Sequence, residues 1–333
     1  WQLPTWLEAM VLVGALSRLG AVQNPILPIY RDREVGFVVR QAVSKVLVVT
    51  SDWRGFDYAG MARGIAADNP GTEVVVVERG KLPEGDPATL GPVPAGAAGP
   101  FTPGVRTDAP LRWLFYTSGT TGRPKGAVLS HRNLLAMTLN YYADVDRPVA
   151  GGSIVHAAPI SHGSGLWSFP MLARGSVHVF PESGHCDVPE TVGLMNRWPD
   201  CSIFLAPTMV KRLIEHGSVS ELRPGALRLI TYGGAPMYVS DLKRAMELLG
   251  DRALCQLYGQ GESPMTITHL SREVHAERSH PRWEQRLASA GIADTCVEVR
   301  VVDEAGKRVP TGEVGEIVVK GDTVMSGYWN NPD

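Results

Sequence analysis

The sequence predicts an α/β protein with two doubly wound αβαβα-type subdomains and a small β-barrel-like subdomain. Through most of its 333 residues, short apolar runs alternate with segments whose apolar residues recur at helical spacing, which is the pattern of βαβ units. A Pro-, Gly- and Ala-rich stretch at 79–110 interrupts this alternation. Beyond residue 270 the apolar residues recur with a period of two, which is typical of antiparallel strands. We therefore expect subdomains at 1–110, 111–270 and 271–333.

The first subdomain should contain a short parallel sheet covered by helices. Apolar spacing predicts helices at 6–19, 32–41 and 56–67, and apolar runs predict buried strands at 46–49 and 74–77. Thr5 is the expected N-cap of the first helix, and Gly20 is expected to end that helix. The stretch at 79–110 is expected to be a long surface connection.

The second subdomain should repeat the same alternation, and the third should be a small β unit. The expected strands of the second are 111–116, 127–129, 153–157, 177–180, 202–206, 227–231 and 253–257. The expected helices are 131–142, capped by Ser130, and 166–173, 189–198, 207–216 and 239–249. In the third, strands are expected at 297–302 and 315–320, with a turn at 303–306.

Composition and charge narrow the classes of function. With 44% hydrophobic residues, 20% charged residues and a formal net charge of −2, the chain has an ordinary globular composition and no basic excess that would suit nucleic acid. Four widely spaced cysteines without a C-x-x-C pair indicate isolated thiols in a reduced compartment. The most apolar early run, at 10–16, is too short to cross a bilayer. We expect a cytoplasmic protein with small-molecule partners and allow for a homodimer.

A polar loop between two apolar runs is the most distinctive stretch of the chain. It consists of Thr117, Ser118, Gly119, Thr120, Thr121, Gly122, Arg123, Pro124, Lys125 and Gly126. Its glycines let backbone N–H groups converge on an anion, four hydroxyls add donors and Lys125 adds a positive charge, so the loop is predicted to hold phosphate. The triphosphatase loop G-x-x-x-x-G-K-[ST] does not fit, because Gly126 follows Lys125 and the loop leads into a strand.

Three further segments follow predicted strands, at the edge where open α/β sheets bind ligands. The first consists of Tyr258, Gly259, Gln260, Gly261 and Glu262, which offer a ring to stack on a purine, glycines for close backbone approach and a carboxylate for Mg²⁺. The second consists of Tyr232, Gly233, Gly234, Ala235 and Pro236, and the third is 159–165, which contains His162. Each of them alone is also consistent with an ordinary turn.

Together and in this order, these segments closely resemble the signature motifs of the adenylate-forming (AMP-binding) superfamily, which contains acyl-CoA synthetases, amino-acid adenylation domains and beetle luciferases. The resemblance covers nearly the whole chain. It extends to 315–332, which is similar to the family's G-E-[IL]-x-[IV]-x-G…G-Y stretch and is expected to be a structural β platform. The resemblance implies the fold of the family's N-terminal domain.

The resemblance also implies a role for each segment. The polar loop, with Lys125 as a catalytic residue, would hold the β- and γ-phosphates of ATP. Tyr258 would stack on adenine beside the backbone of 259–261, Glu262 would bind Mg²⁺ and act in catalysis, and 233–236 would form a wall of the adenine and acyl pocket. His162, counted with Lys125 and Glu262 among the catalytic residues, would gate the acyl pocket. Gly261 stands where the family usually has Thr, so no side-chain role is carried over to it.

The implied reaction has two steps. A carboxylate and ATP give an acyl-adenylate and pyrophosphate, and the thiol of coenzyme A then displaces AMP. Attack on the α-phosphorus requires charge neutralisation and in-line positioning, which the loop, Lys125 and Mg²⁺ on Glu262 could supply. No Asp suited to an amino-acid ammonium is evident, and the chain looks most like bacterial fatty-acyl or alicyclic carboxylate CoA ligases. The residues expected to line an apolar acyl pocket are Trp167, Phe204, Ala206 and Thr208.

The same resemblance predicts that further family motifs would follow residue 333. These are the T-G-D motif, a hinge and a C-terminal domain with the adenylation Lys, so we expect an N-terminal-domain fragment of low activity by itself. Two alternatives stay open. A non-catalytic nucleotide-binding fragment would belong to a gene without that C-terminal domain, and a luciferase-like adenylating oxygenase would consume oxygen or emit light.

Overall fold

The structure, a computed structural model, describes residues 1–81, 111–117 and 124–331. In these ranges the chain is a mixed α/β protein with one large, seven-stranded sheet and four two-stranded ones. The predicted α/β fold class is confirmed. Most of the expected surface connection at 79–110 lies outside the described residues. None of the helices in the described ranges has the length and apolarity needed to cross a bilayer.

The amino-terminal part contains the expected parallel pair of strands with helices against it. Its helices are α1 (Leu7–Leu19), α2 (Asp32–Ala42) and α3 (Tyr58–Ala67). Its strands are β1 (Val46–Thr50), β2 (Asp52–Trp53), β3 (Phe56–Asp57) and β4 (Glu73–Val77). β1 pairs with β4 in parallel, and α3 provides the crossover between them. The crossover buries Ala62 and Ile65 against this pair, which is why an apolar stripe recurs at helical spacing along α3.

Two predicted helix starts in this part are wrong. α1 is preceded by Trp6, whose extended backbone offers no side-chain cap, whereas the Thr5 hydroxyl faces the Ala158 carbonyl oxygen at 3.5 Å. The hydroxyl that the local sequence predicts as a helix cap therefore makes a tertiary contact instead. The helix predicted from residue 56 begins only at Tyr58, because β2 and β3 form a hairpin first and the Asp57 carboxylate caps α3. The predicted stop at Gly20 is confirmed, with a left-handed φ of 68°.

The segments that flank the polar loop form an antiparallel hairpin, β5 (Leu111–Thr117) and β6 (Lys125–Ser130). Helix α4 (His131–Asn140) follows β6 directly and continues into a π-helical turn at Tyr141–Val145. Its predicted cap is confirmed, since the Ser130 hydroxyl accepts a hydrogen bond from the Asn133 N–H at 3.2 Å.

The seven-stranded sheet fills the centre of the remaining chain. Its strands are β7 (Ser153–Val155), β8 (Val177–Val179), β9 (Cys201–Leu205), β10 (Leu227–Gly233), β11 (Leu254–Gln260), β12 (Ser263–Leu270) and β13 (Ile292–Ala293). The helices that connect them are α5 (Gly163–Leu166), α6 (Ser168–Ala173), α7 (Val188–Arg197), α8 (Pro207–Glu215), α9 (Val239–Leu249), α10 (Arg272–Ala276) and α11 (Trp283–Leu287), and a 3₁₀ turn lies at Gly217–Glu221. The strand order is β13-β12-β11-β10-β9-β7-β8.

Apolar layers cover both faces of this sheet. Every residue of β9 is buried, and its side chains alternate between two apolar clusters: Ile203 and Leu205 belong to one, Phe204 to the other. A strand that is covered on both faces has apolar residues at successive positions. This explains why the apolar run in the sequence predicted β9 correctly.

One edge of the sheet differs from the prediction. β12 and β13 are antiparallel to their neighbours and were not predicted. The turn between β11 and β12 has only two residues, which is too short for a parallel crossover, so the chain must return antiparallel. The helix predicted at 166–173 is also split into α5 and α6 and begins at Gly163. Beyond the sheet, β14 (Val297–Val302) and β15 (Glu316–Gly321) form the expected antiparallel pair.

Candidate active site

The β5–β6 hairpin brings the two ends of the polar loop together. Thr117 and Lys125 are the last paired residues of the hairpin. The strand-to-strand path expected for the loop is therefore confirmed, which separates it from loops that open a helix. Ser118, Gly119, Thr120, Thr121 and Gly122 lie outside the described residues, and their contact with phosphate stays a prediction.

Glu262 lies at the mouth of this hairpin although it follows Thr117 by 145 residues in the sequence. The short turn between β11 and β12 carries it there, and the Thr117 hydroxyl donates a hydrogen bond to Glu262 Oε1 at 3.3 Å. The Met325 N–H donates to the Glu262 carbonyl oxygen at 2.7 Å, which fixes the backbone of the turn. The fold thus brings one end of the predicted phosphate loop to the predicted magnesium carboxylate.

Gly261 makes this close approach possible. A Cβ added there would lie 2.2 Å from Thr117 Cγ2 and 3.0 Å from Phe115 Cδ1, well inside normal contact distance. Gly259 is restricted in the same way, because its Cβ would lie 2.2 Å from the Met265 nitrogen. In this chain the hairpin side chains occupy the space that the family's usual Thr would need at position 261.

Tyr328 contacts both charged residues of the site. Its hydroxyl donates a hydrogen bond to Glu262 Oε1 at 2.6 Å, and Lys125 Nζ lies 5.1 Å from the centre of its ring. Burial, and then the hydrogen bond with Glu262, raises the pKa of Tyr328 to about 12, so the phenol stays protonated at neutral pH and acts as the donor. Sequence reasoning missed this residue because it lies 66 positions from Glu262, inside a stretch expected to be only structural.

His162 stacks on Phe115, a residue of the same hairpin. Its ring lies parallel to that of Phe115, with 5.1 Å between the ring centres and 8° between the planes. Desolvation by the protein packed against the ring lowers the pKa of His162, so the neutral imidazole predominates at neutral pH. Next to it, the side-chain position of Gly163 faces Met265 at 3.4 Å and Phe204 at 3.7 Å. His162 therefore lies against Phe115, with its neighbour Gly163 close to Met265 and Phe204, and its gating role stays a prediction.

The segments around Tyr258 and Gly233 lie side by side on the sheet. Gly233 pairs with Leu257 across β10 and β11, and a Cβ on Gly233 would lie 2.3 Å from the Leu257 carbonyl oxygen. Gly234 then turns with a φ of 87°, and Ala235 and Pro236 are exposed beyond it. Tyr258 is half-buried in β11. The structure thus places these residues at the carboxyl ends of adjacent parallel strands, where the sequence predicted them.

A cleft of about 410 Å³ opens between the amino-terminal part of the chain and the residues that follow β7. The loop at 28–31 lines it on one side, together with Trp53, Arg54 and Tyr58, and the residues after β7 line it on the other, together with Arg212. A narrower pocket lined by 25–27, Phe115 and His162 adjoins it, since the same two loops, at 25–31 and 157–162, line both. The cleft carries three arginines, which are Arg31, Arg54 and Arg212.

Glu262 is suited to hold a hard cation. Among residues of the described ranges, only Oε1 of Glu262 has hydrogen-bond partners, from Thr117 and Tyr328. No residue of the described ranges bonds to the other oxygen, Oε2, and we propose this oxygen as the ligand for a cation. Mg²⁺ is typically held by one or two carboxylates together with phosphate oxygens, so a single carboxylate anchored at the end of the predicted phosphate loop fits that ion.

A second group of side chains, Asp144, His269 and Asp294, places potential metal ligands within 4.8 Å of one another. Its atoms already bond to protein partners. His269 Nδ1 and Asp294 Oδ1 are 2.6 Å apart, Asn140 Nδ2 donates to the other Asp294 oxygen at 3.0 Å, and Thr295 donates to both oxygens of Asp144. We therefore assign this group a structural role, joining the π-helical turn to the edge of the sheet.

The fold and the candidate site together define a class of protein: a mixed α/β protein whose predicted ligand-binding segments lie largely at the carboxyl edge of a mainly parallel sheet. The AMP-binding enzyme family matches residues 2–329. The chain belongs to this family, which confirms the resemblance stated from its motifs.

Relatives and solved structures agree with this assignment. The chain is 30% identical over 260 residues to the medium/long-chain-fatty-acid–CoA ligase FadD8 of Mycobacterium tuberculosis, covering 74% of this chain and 44% of the relative. It is 33% identical over 224 residues to a feruloyl-CoA synthase of an Amycolatopsis species, covering 66% and 43%. It superimposes on ATP-bound MatB from Rhodopseudomonas palustris with a TM-score of 0.76 at 28% identity, over 100% of this chain and 62% of that one. The match spans less than half the length of the two curated relatives.

Proposed function

We propose that this chain carries the acid-activating site of an AMP-forming acyl-CoA synthetase. The observation that carries the proposal is the hydrogen bond between Thr117 and Glu262, which joins the hairpin bearing Lys125 to the turn bearing the carboxylate. Membership of the AMP-binding family supports it, as do the names of the relatives, which are ligases that form CoA thioesters.

The first step would convert a carboxylate and ATP into an acyl-adenylate and pyrophosphate. Lys125 would neutralise charge on the phosphates, and the hydroxyls and N–H groups of the polar loop would orient them, since phosphoryl transfer depends mainly on positioning and electrostatic stabilisation. Glu262 would hold Mg²⁺, which when bound offsets the charge of the phosphate oxygens. Neutral His162 would separate this polar region from the acyl group without adding a charge of its own.

The acid is proposed to have an apolar body, fatty or alicyclic. Trp167 and Phe204 are buried in one apolar cluster, and Met265 packs against it beside Gly163. A pocket formed from these side chains would favour a carbon skeleton without charge. Of the two relatives described above, one is named for medium and long fatty acids and the other for ferulate, so both aliphatic and aromatic acids belong in the screen.

The second step would transfer the acyl group to the thiol of coenzyme A. We propose the arginine-bearing cleft as the site for the phosphates of coenzyme A, because three cationic side chains suit a phosphorylated ligand. The loops that line the cleft continue to His162, so a thiol arm could reach the acyl-adenylate from there. We place the reaction in the cytoplasm. Because the match spans less than half of the two curated relatives described above, we expect the chain to bind substrates but turn over slowly by itself.

The test is calorimetric titration of the chain with Mg-ATP. We expect saturable binding by the wild type and at least about a tenfold higher Kd for both Lys125→Ala and Glu262→Ala, because each removes a charged contact to the ligand or its metal. Lys307→Ala and Glu304→Ala are the matched controls, since both residues are exposed in the turn after β14.

Equal binding by all variants would refute the site. Absence of wild-type binding in a folded sample would refute the proposed function. The two alternatives are separated by further readouts: formation of AMP with an acid library excludes a non-catalytic module, and oxygen uptake or light emission would identify an oxygenase.

A further inference from the structure

We propose that Tyr328 is a positioning residue for the acid-activating site, fixing both the carboxylate of Glu262 and the ammonium of Lys125. This inference rests on the proposed function. Three contacts carry it: the Tyr328 hydroxyl donates to Glu262 Oε1 at 2.6 Å, the Thr117 hydroxyl donates to the same oxygen at 3.3 Å, and Lys125 Nζ lies 5.1 Å from the Tyr328 ring centre.

The hydrogen bond determines which oxygen of Glu262 can bind a cation. Two hydroxyls donate to Oε1, and within the described ranges no side chain donates to Oε2. A carboxylate held by one oxygen has a fixed orientation, so its second oxygen presents a preformed ligand to Mg²⁺. Without the Tyr328 hydroxyl, only the longer hydrogen bond from Thr117 would restrain the Glu262 carboxylate. The carboxylate could then rotate, and Mg²⁺ binding would have to suppress that rotation.

The ring of Tyr328 acts on Lys125 in a different way. An ammonium within about 6 Å of an aromatic centre is attracted to the ring without losing its charge or its donors. A long, flexible side chain is thereby restrained near the mouth of the hairpin while its N–H groups stay available to phosphate. The Tyr328 hydroxyl therefore orients Glu262, and the Tyr328 ring restrains Lys125.

The backbone holds Tyr328 in this place. The segment 325–329 runs antiparallel to β6: the Ser326 N–H donates to the Val128 carbonyl, the Val128 N–H to the Gly327 carbonyl and the Trp329 N–H to the Gly126 carbonyl, at 2.8–3.1 Å. Tyr328 itself bridges Ala127. Because β6 starts at Lys125, the same strand that positions the lysine also positions the tyrosine.

Two substitutions separate the hydroxyl from the ring. We expect Tyr328→Phe to lower the Mg²⁺-dependent gain in ATP affinity by about tenfold, which is the effect of losing one charge-assisted hydrogen bond, while ATP binding in EDTA stays unchanged. We expect Tyr328→Leu to weaken binding in EDTA as well, by about threefold, because Lys125 loses its aromatic partner. Both effects are measured by calorimetry with and without Mg²⁺.

Tyr142→Phe is the matched control, because it removes a phenol hydrogen bond of the same length, 2.6 Å to the Pro170 carbonyl, without touching the site. It should change thermal stability but not the Mg²⁺ dependence. In a Glu262→Ala background, Tyr328→Phe should have no further effect on Mg²⁺ dependence.

The outcomes are distinct. Suppose that the wild type binds Mg-ATP. The role of Tyr328 is then refuted, while the proposed function stands, if Tyr328→Phe keeps the full Mg²⁺ dependence of ATP affinity. It is also refuted if Tyr328→Phe lowers that dependence as much in the Glu262→Ala background as in the wild type. If the wild type does not bind Mg-ATP, the proposed function and this role are both refuted.

Discussion

At the scale of single residues, the candidate site depends on the space around Gly261. The Thr117 methyl group and the Phe115 ring occupy the volume that any side chain at position 261 would need. A larger residue would force the Thr117 side chain to rotate, which moves its hydroxyl away from Glu262, or would push the hairpin away from the β11–β12 turn. The glycine therefore determines how closely the end of the polar loop can approach Glu262, although it contributes no functional group of its own.

We predict that Gly261→Ala destabilises the chain by roughly 1–3 kcal/mol, as expected for overpacking in a tight contact. It should also raise the Kd for Mg-ATP, because relief of the clash separates Thr117 from Glu262. Urea unfolding and calorimetric titration measure the two effects.

Gly193→Ala is the control for this substitution. Gly193 lies inside α7, and nothing lies within 4 Å of an added Cβ there. Alanine should leave stability unchanged or raise it slightly, by up to about 1 kcal/mol, because alanine favours helix. If Gly261→Ala behaved like this control, the steric explanation for the glycine would be wrong.

At the scale of structural elements, the site is assembled from loops that follow strands and from one extended segment. Helix α4 contributes through its first turn: Asn133 completes the cap with Ser130, and its Nδ2 also donates to the carbonyls of Asp322 and Val324 at 2.7 and 2.8 Å. One side chain thereby ties the start of α4 to the segment that leads to Tyr328. Elements far apart in the sequence are held in register around the hairpin by such bonds.

The loops at 28–31 and 157–159 form another such assembly, the arginine-bearing cleft, together with Arg54 and with Arg212 of α8. We predict that Arg54→Ala and Arg212→Ala each raise the Kd for coenzyme A by about three- to tenfold, because each removes one exposed cation from a phosphate site, and that this difference shrinks in high salt. Titration with coenzyme A at two salt concentrations measures the effect.

Pantetheine, which carries no phosphate, is the control ligand for the cleft, and its binding should be the same for all variants. Arg63→Ala, on the exposed side of α3, is the control variant. Should coenzyme A bind equally well to the Arg54 and Arg212 variants, the thiol substrate must enter elsewhere.

At the scale of the whole molecule, buried histidines connect stability to pH. His275 is fully buried; its Nδ1–H donates to the Ser271 carbonyl at 2.8 Å and its Nε2 accepts from the Tyr232 hydroxyl at 3.0 Å. Burial lowers the pKa of His275 to about 4 from an ordinary 6.5. Burial also lowers the pKa of His178 to about 4, and burial together with the neighbouring His178 lowers the pKa of His156 well below its ordinary value.

We predict that the free energy of unfolding falls as the pH is lowered from 6.5 toward 4. In this window the unfolded chain binds protons that the folded chain excludes, so protonation favours unfolding. His275 alone should account for about 3 kcal/mol at most, the value of its full pKa difference. Urea titrations at pH 7.5, 6 and 5 give the dependence.

His275→Gln should flatten this dependence, since glutamine fills a similar volume and does not titrate, whereas the exposed His216→Gln should leave it as in the wild type. Because carboxylates also titrate toward the low end of the window, the difference between the two variants is the decisive quantity. Identical pH slopes for both would contradict the assignment to His275.

Much of this molecule follows from the sequence by itself. Apolar periodicity predicted the α/β class and nearly all strands and helices between 111 and 257, because a period of two or 3.6 directly reflects which face of an element is buried. The spacing of glycines, hydroxyls and charges in each loop predicted the segments of the candidate site, because these residue types are needed wherever backbone approaches an anion.

Only the tertiary structure decided how these segments meet. The Thr5 hydroxyl, assigned locally to a helix cap, contacts another loop; β12 returns antiparallel; and Tyr328 reaches Glu262 across 66 residues of sequence. Local patterns specify backbone conformation and burial, whereas contacts between distant residues depend on the packing of whole elements. That is why the residue types of the site were predictable, and the tyrosine that joins its two charges was not.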